Sequence, residues 1–193
     1  GLRAKLADEP VTNVDETGYP QHGQDGNGRG WLWCAAGKRL TVFKIAASRG
    51  SQVLADLLGA AYPGVVCSDF FSAYRKFVAE GEARAAYCWA HLIREIRYLT
   101  TLGDKVIVNW ATKLLGQAKK LFKAYHNRGE RAQRNARDAI LQRVRRPPPR
   151  TQAQTLAERI RTHADAYFRF LDDQRIEPTN NKAERALRHA VID

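Results

Sequence analysis

Residues 51–88, SQVLADLLGAAYPGVVCSDFFSAYRKFVAEGEARAAYC, change their period several times. Val53, Leu54, Leu57, Leu58 and Ala61 fall at helical spacing behind Ser51, a residue type that caps helices, and Pro63–Gly64 stops the run. Val65-Val-Cys-Ser68 reads as a buried strand ending at Asp69. Ala73–Glu80 reads as a short helix and Arg84–Cys88 as another strand. Helix, strand, helix, strand predicts a sheet whose strands are linked by crossovers.

Upstream, Val11-Thr-Asn-Val-Asp15 is a short β-prone run ending in an acid. Gly18 to Gly30, rich in Gly, Asn, Gln and Asp, reads as a loop. Trp31–Ala36, a tight Gly37–Lys38 turn and Leu40–Ile45 make a hairpin, so the chain opens with a three-stranded antiparallel meander. The order is then βββαβαβ, an α/β chain with a mixed five-stranded sheet. From Trp89 onward only helices are read. Val106, Trp110, Leu114, Leu121, Phe122 and Tyr125 mark a long one; Ala136, Ile140 and Val144 mark a second, ended by Pro147-Pro148-Pro149. A third is read through Leu156, Ile160, Tyr167, Phe168 and Leu171, and a last begins near Asn180, after Pro178.

At 193 residues and 44% apolar, the chain suits one domain carrying an insertion. Its longest stretch without Asp, Glu, Lys or Arg is Leu57–Ser68, twelve residues; a spanning helix needs about 18, so no membrane partner is expected. The first residues carry no apolar targeting segment. The absence of Met points to a fragment. The net charge of +12 is one-sided: residues 1–88 hold 10 basic against 9 acidic groups, and residues 89–193 hold 22 against 11. Lys119–Arg150 alone carries 11 basic residues and two acids, which implies a polyanionic partner unless it is only a solvated helical face. Cys34, Cys67 and Cys88 have no disulfide spacing, and Cys34 and Cys67 suit buried apolar positions in a reducing cytoplasm.

Asp15 and Asp69 end predicted strands, where α/β folds bind ligands. Carboxylates brought together there repel, and a divalent cation with a preference for hard oxygen, Mg²⁺ or Mn²⁺, relieves that repulsion. Taken singly, each Asp reads more readily as a turn or helix cap. Glu184 is the natural third acid, although Asn181-Lys-Ala-Glu184 also has capping-box spacing. Glu177 ranks behind it, because Pro178 holds it in an extended segment. Asn180 and Asn181 have side chains suited to holding a phosphate or a water beside a metal. Arg185 and Arg188 place cationic donors beside the acid. Cys88-Trp-Ala-His91 has zinc-ligand spacing, but the other Cys and His residues are scattered singly, so no structural zinc is expected.

With the strand order and these residues in view, the chain looks like a ribonuclease H-like fold. The segments Val14-Asp15-Glu16-Thr17, Ser68–Tyr74, Cys88–Glu95 and Pro178–Arg188 together resemble the insertion sequence 66 family of bacterial DDE transposases, over nearly the whole chain. His189 stands where the family usually shows Pro. The resemblance implies a metal-binding triad of Asp15, Asp69 and Glu184 with two Mg²⁺ (or Mn²⁺) ions. It also implies a Cys-x-x-His signature at Cys88 and His91, with His91, Asn180 and Asn181 as support around the triad. The core would be residues 1–88, completed by a C-terminal helix in 176–193, with a helical insertion over 89–175 before that final helix.

The expected function is DNA phosphodiester cleavage and strand transfer in transposition. The expected partners are double-stranded DNA, at transposon ends and target, and further copies of the chain; the expected location is the bacterial cytoplasm, at the nucleoid. Lys119, Lys120, Lys123, Arg143, Arg145, Arg146, Arg185 and Arg188 are the expected DNA contacts. The alternative is a catalytically incompetent remnant that still binds DNA.

Overall fold

A computed structural model describes residues 1–21 and 28–192 of the chain. It divides into two compact units, Gly1–Cys88 with Arg175–Asp193, and Trp89–Gln174.

The first unit is built on five strands, β1 (Val11–Gln21), β2 (Gly28–Ala36), β3 (Thr41–Ala46), β4 (Val65–Ser68) and β5 (Arg84–Tyr87), in the spatial order β3-β2-β1-β4-β5. β1 pairs antiparallel with β2 and parallel with β4; β2–β3 is antiparallel and β4–β5 parallel. β4 is buried at all four positions, which is why its sequence runs apolar without alternating. β3, at the edge, alternates exposed with half-buried residues.

Both sheet faces are covered, and the alternation along β2 shows how. Trp33 and Ala35 join Val14 and Val66 in a core with Leu6, Leu54, Leu58, Tyr74 and Phe77. These come from α1 (Leu2–Ala7), α2 (Gln52–Leu58) and α3 (Ser72–Glu80). Leu32, Cys34 and Ala36 point the other way and pack on Ala183 and Leu187 of the last helix, Asn181–Ile192.

The β2–β3 turn is tied to the residue before Pro10. The Glu9 carboxylate, 1% exposed, accepts Lys38 N at 2.9 Å, Arg39 N at 3.3 Å and Arg39 Nε at 3.0 Å. Burial works against its charge, but these donors and the Arg39 cation outweigh it and hold the carboxyl below the usual carboxylate range. Gly37 is glycine for room: a Cβ there would come 2.5 Å from Glu9 Cγ.

Several elements depart from what the sequence predicts. β1 continues past Asp15 to Gln21 and β2 begins at Gly28, so the ends of the loop read over 18–30 are ladder; its remainder, 22–27, lies outside the described residues. Cross-strand pairing overrides the turn-prone composition there. The single helix read through Leu156 to Leu171 is two, because His163 leaves helical geometry at φ −112° and ψ 29°. The short α1, which no periodicity announces, is anchored by its fully buried Leu6.

The second unit is helical: α4 (Trp89–Leu99), α5 (Lys105–His126), α6 (Glu130–Arg145), α7 (Thr151–Thr162) and α8 (Ala164–Asp172). Asp104 caps α5, its Oδ1 accepting Val106 N at 2.8 Å. α6 ends where the three prolines begin. The centre is aromatic: Trp89, 1% exposed, meets Phe122, Tyr167, Phe168 and Phe170 edge-on at 5.4–6.5 Å, and its indole N–H donates to the Tyr167 carbonyl. The helix Asn181–Ile192, returning to the first unit, is α9. Among the described residues, no helix is long and apolar enough to cross a membrane.

Candidate active site

The parallel register of β1 and β4 sets the two aspartates level. Asn13 pairs with Cys67 at the end of the ladder, and Asp15 and Asp69 each stand two residues beyond that pair. Asp15 is therefore within β1, beyond the last residue paired with β4, and not at the strand's end as its sequence suggested. Its Oδ1 accepts Glu16 N at 3.0 Å. Asp69 follows β4, and its Oδ1 accepts Phe71 N at 2.9 Å, a turn that leads into α3.

The third acid is delivered by Asn180, which is 1% exposed. Its side-chain Nδ2 donates to the Val14 carbonyl at 2.7 Å, its Oδ1 accepts Asn13 Nδ2 at 3.0 Å, and its backbone N–H donates to Cys88 Sγ at 3.2 Å. These bonds pin the start of α9 to β1 and to the residue after β5. Glu184 stands one turn beyond, with its backbone N–H on the Asn180 carbonyl at 3.3 Å. The side chain is half-buried, and a carboxylate oxygen lies within 4.8 Å of Cys88 Sγ. α9 begins at Asn181, so Asn181 lies within the helix and not before it. Asn181 itself is exposed, as is Glu177.

The acids act on one another electrically. Burial pushes the Asp15 carboxyl up, the Glu16 N–H opposes this, and the charges of Asp69 and Glu184 push it further, with Arg49 pulling against them; it reaches about 6 from an ordinary 3.8. Carboxylates in the β4–α3 turn and on α9 thus act on the one in β1 by repulsion.

Glu16 is an acid to which the sequence assigned no role. On β1 it faces away from Asp15, and its side chain is 2% exposed. Arg49 holds it through Nε at 2.7 Å and Nη2 at 2.6 Å, and the Tyr74 hydroxyl donates to its other oxygen. Burial raises the Glu16 carboxyl to about 7, the Arg49 bonds and charge lowering it and Asp15 and Asp69 raising it. The one available signal was the Asp15–Glu16 pair itself, since neighbouring acids on a strand must face opposite sides.

The remaining sequence-derived residues are placed as follows. His91 is half-buried on the first turn of α4, in the helical unit. Lys119, Lys120 and Lys123 lie on α5, and all three are exposed. Arg145 and Arg146 are exposed at the end of α6. Arg143 differs from them: half-buried, it donates from Nε to Gln117 Oε1 at 3.2 Å and belongs to the α5–α6 contact. Arg188 is exposed on α9, and Arg185, also exposed, donates from Nε to the Asn181 carbonyl at 3.3 Å. Cys34, Cys67 and Cys88 are all buried.

An antiparallel meander whose first strand continues, in parallel, into β4 and β5, with helices on both faces, defines a ribonuclease H-like α/β protein. Within that class the chain belongs to the family described as Transposase IS66 family, whose model matches residues 1–193, the whole chain. No curated protein matches it significantly. Membership assigns it to transposition, and so to work on DNA.

Proposed function

We propose that this chain carries the DNA-cleaving and strand-transferring centre of a DDE transposase, with Asp15, Asp69 and Glu184 as the ligands of two divalent cations, Mg²⁺ or Mn²⁺. The observation that carries this reading is the placement of Asp15 on β1 and of Asp69 directly after the neighbouring parallel strand β4, where burial first, and then the charges of Asp69 and Glu184, raise the Asp15 carboxyl. The repulsion that Asp15 meets from Asp69 and Glu184 is a cost that a bound cation would offset. Such ions, when bound, supply an activated water or 3′-hydroxyl and neutralise charge on the phosphodiester.

The chain's own part is positioning. The backbone N–H groups of Glu16 and Phe71 each take one oxygen of Asp15 and Asp69, which orients the other oxygen of each carboxylate. Asn180 fixes the origin of α9, and with it the height of Glu184 above the sheet. The excess of basic over acidic residues in 89–193 supplies sequence-independent attraction for DNA phosphates. The test is a nicking assay on plasmid DNA with Mn²⁺: Asp15→Asn and Asp69→Asn should each abolish cleavage while the fold and most DNA affinity persist. Equal loss of cleavage and binding would assign these acids a structural role.

A further inference from the structure

Behind the carboxylates lies a second set of contacts that joins the two backbone groups holding them. Glu16 gives its N–H to Asp15 and its buried side chain to Arg49. Phe71 gives its N–H to Asp69, and its ring lies under the Arg49 guanidinium, 4.1 Å from centroid to Cζ. The Trp31 ring also faces the guanidinium, at 4.5 Å. Arg49 itself sits in the short connection between β3 and α2. That connection is pinned by Trp33 Nε1 donating to the Ser48 carbonyl at 3.1 Å and by Gly50 N donating to Ser48 Oγ at 3.0 Å.

From this closed path we infer that Arg49 is a positioning residue: by tying Glu16 to Phe71 it sets the separation of the Asp15 and Asp69 carboxylates. The inference rests on the reading of those carboxylates as a metal centre. The chemistry of the guanidinium suits the task. It is a planar fork that reaches Glu16 through two nitrogens while its flat face remains free for aromatic rings. A lysine would keep the charge that a buried Glu16 requires, but not the fork or the stacking surface. Arg49 therefore has two separable duties, neutralising Glu16 and fixing the distance between the residues that hold the two aspartates. Groups that orient metal ligands from behind typically contribute about 10–100-fold to metal affinity.

The experiment titrates Mn²⁺ into the full chain, following the free-ion signal by electron paramagnetic resonance, for wild type, Arg49→Lys, Phe71→Leu and Asp15→Asn, with melting temperatures alongside. Arg49→Lys should stay folded and bind Mn²⁺ at least about tenfold more weakly. Phe71→Leu, which retains its backbone N–H, should weaken binding in the same direction. Unchanged Mn²⁺ affinity in Arg49→Lys with a lowered melting temperature would reduce Arg49 to neutralising Glu16, and the inference would fall. Unchanged Mn²⁺ affinity with reduced DNA affinity would make Arg49 a phosphate contact, with the same consequence. If wild type and Asp15→Asn bind Mn²⁺ alike, it is the metal reading that fails. A crystal structure of Arg49→Lys then decides the positioning claim alone: displaced Asp15 and Asp69 carboxylates support it, and unmoved ones overturn it.

Discussion

Asn13 and Asn180, 167 residues apart in the chain, are joined by a buried hydrogen bond of 3.0 Å between their side-chain amides. The bond sets α9 against the strand that also carries Asp15, so an amide pair takes part in placing Glu184. Asn180, the acceptor in that bond, directs its own donors to the Val14 carbonyl and Cys88 Sγ.

Asn180→Ala should therefore destabilise the first unit by about 2–3 kcal/mol, since it leaves the Asn13 amide and the Val14 carbonyl buried without their partner. Urea unfolding followed by tryptophan fluorescence measures it. Because the start of α9 loosens, Mn²⁺ affinity should fall further than in a surface variant of equal stability.

Asp15 gives a pH dependence with a defined sign. Its folded carboxyl titrates near 6, above the ordinary 3.8, so between these values the folded state holds more protons than the unfolded one. Its contribution to stability is full below about pH 4 and is lost as pH rises through 6. In the absence of divalent metal, Asp15→Asn should raise the melting temperature at about pH 7.5 and leave it little changed at about pH 4. With Mn²⁺ present the order at the higher pH should reverse, because only wild type gains from the ion.

The basic helices divide into two groups. Arg145 and Arg146 are exposed, and replacing both with Gln should weaken binding to every duplex alike. The slope of log K against log salt should fall by about 0.9 for each phosphate that the variant no longer neutralises. Arg143→Gln should chiefly lower stability, through its bond to Gln117. Filter binding at several salt concentrations, with thermal melts alongside, separates the two; a slope unchanged in the Arg145/Arg146 variant would take that helix end out of the DNA path.

The strand order was legible because β4 and β5 are short, apolar and separated by helical spacing, and because Trp31–Ile45 alternates around a tight turn. Asp69 was legible for the same reason, since it directly follows a buried run. The true length of β1 was not. Residues 18–21 look like loop by composition and become strand only because β2 pairs with them. The break at His163 was equally hidden, because apolar spacing continues across it. Arg49 and Glu16 lie 33 residues apart, and neither segment by itself gives its charged residue a role. Only the folded sheet shows that one is buried and the other stacked on two rings.

Every step proposed for this chain requires Asp15, Asp69 and Glu184 to form one cation site. An anomalous difference map from crystals soaked in Mn²⁺ decides whether they do. Strong peaks ligated by all three carboxylates, and gone in Asp15→Asn, are the expected result. Mn²⁺ bound elsewhere in the chain, or bound by the two aspartates with Glu184 turned away, would contradict it.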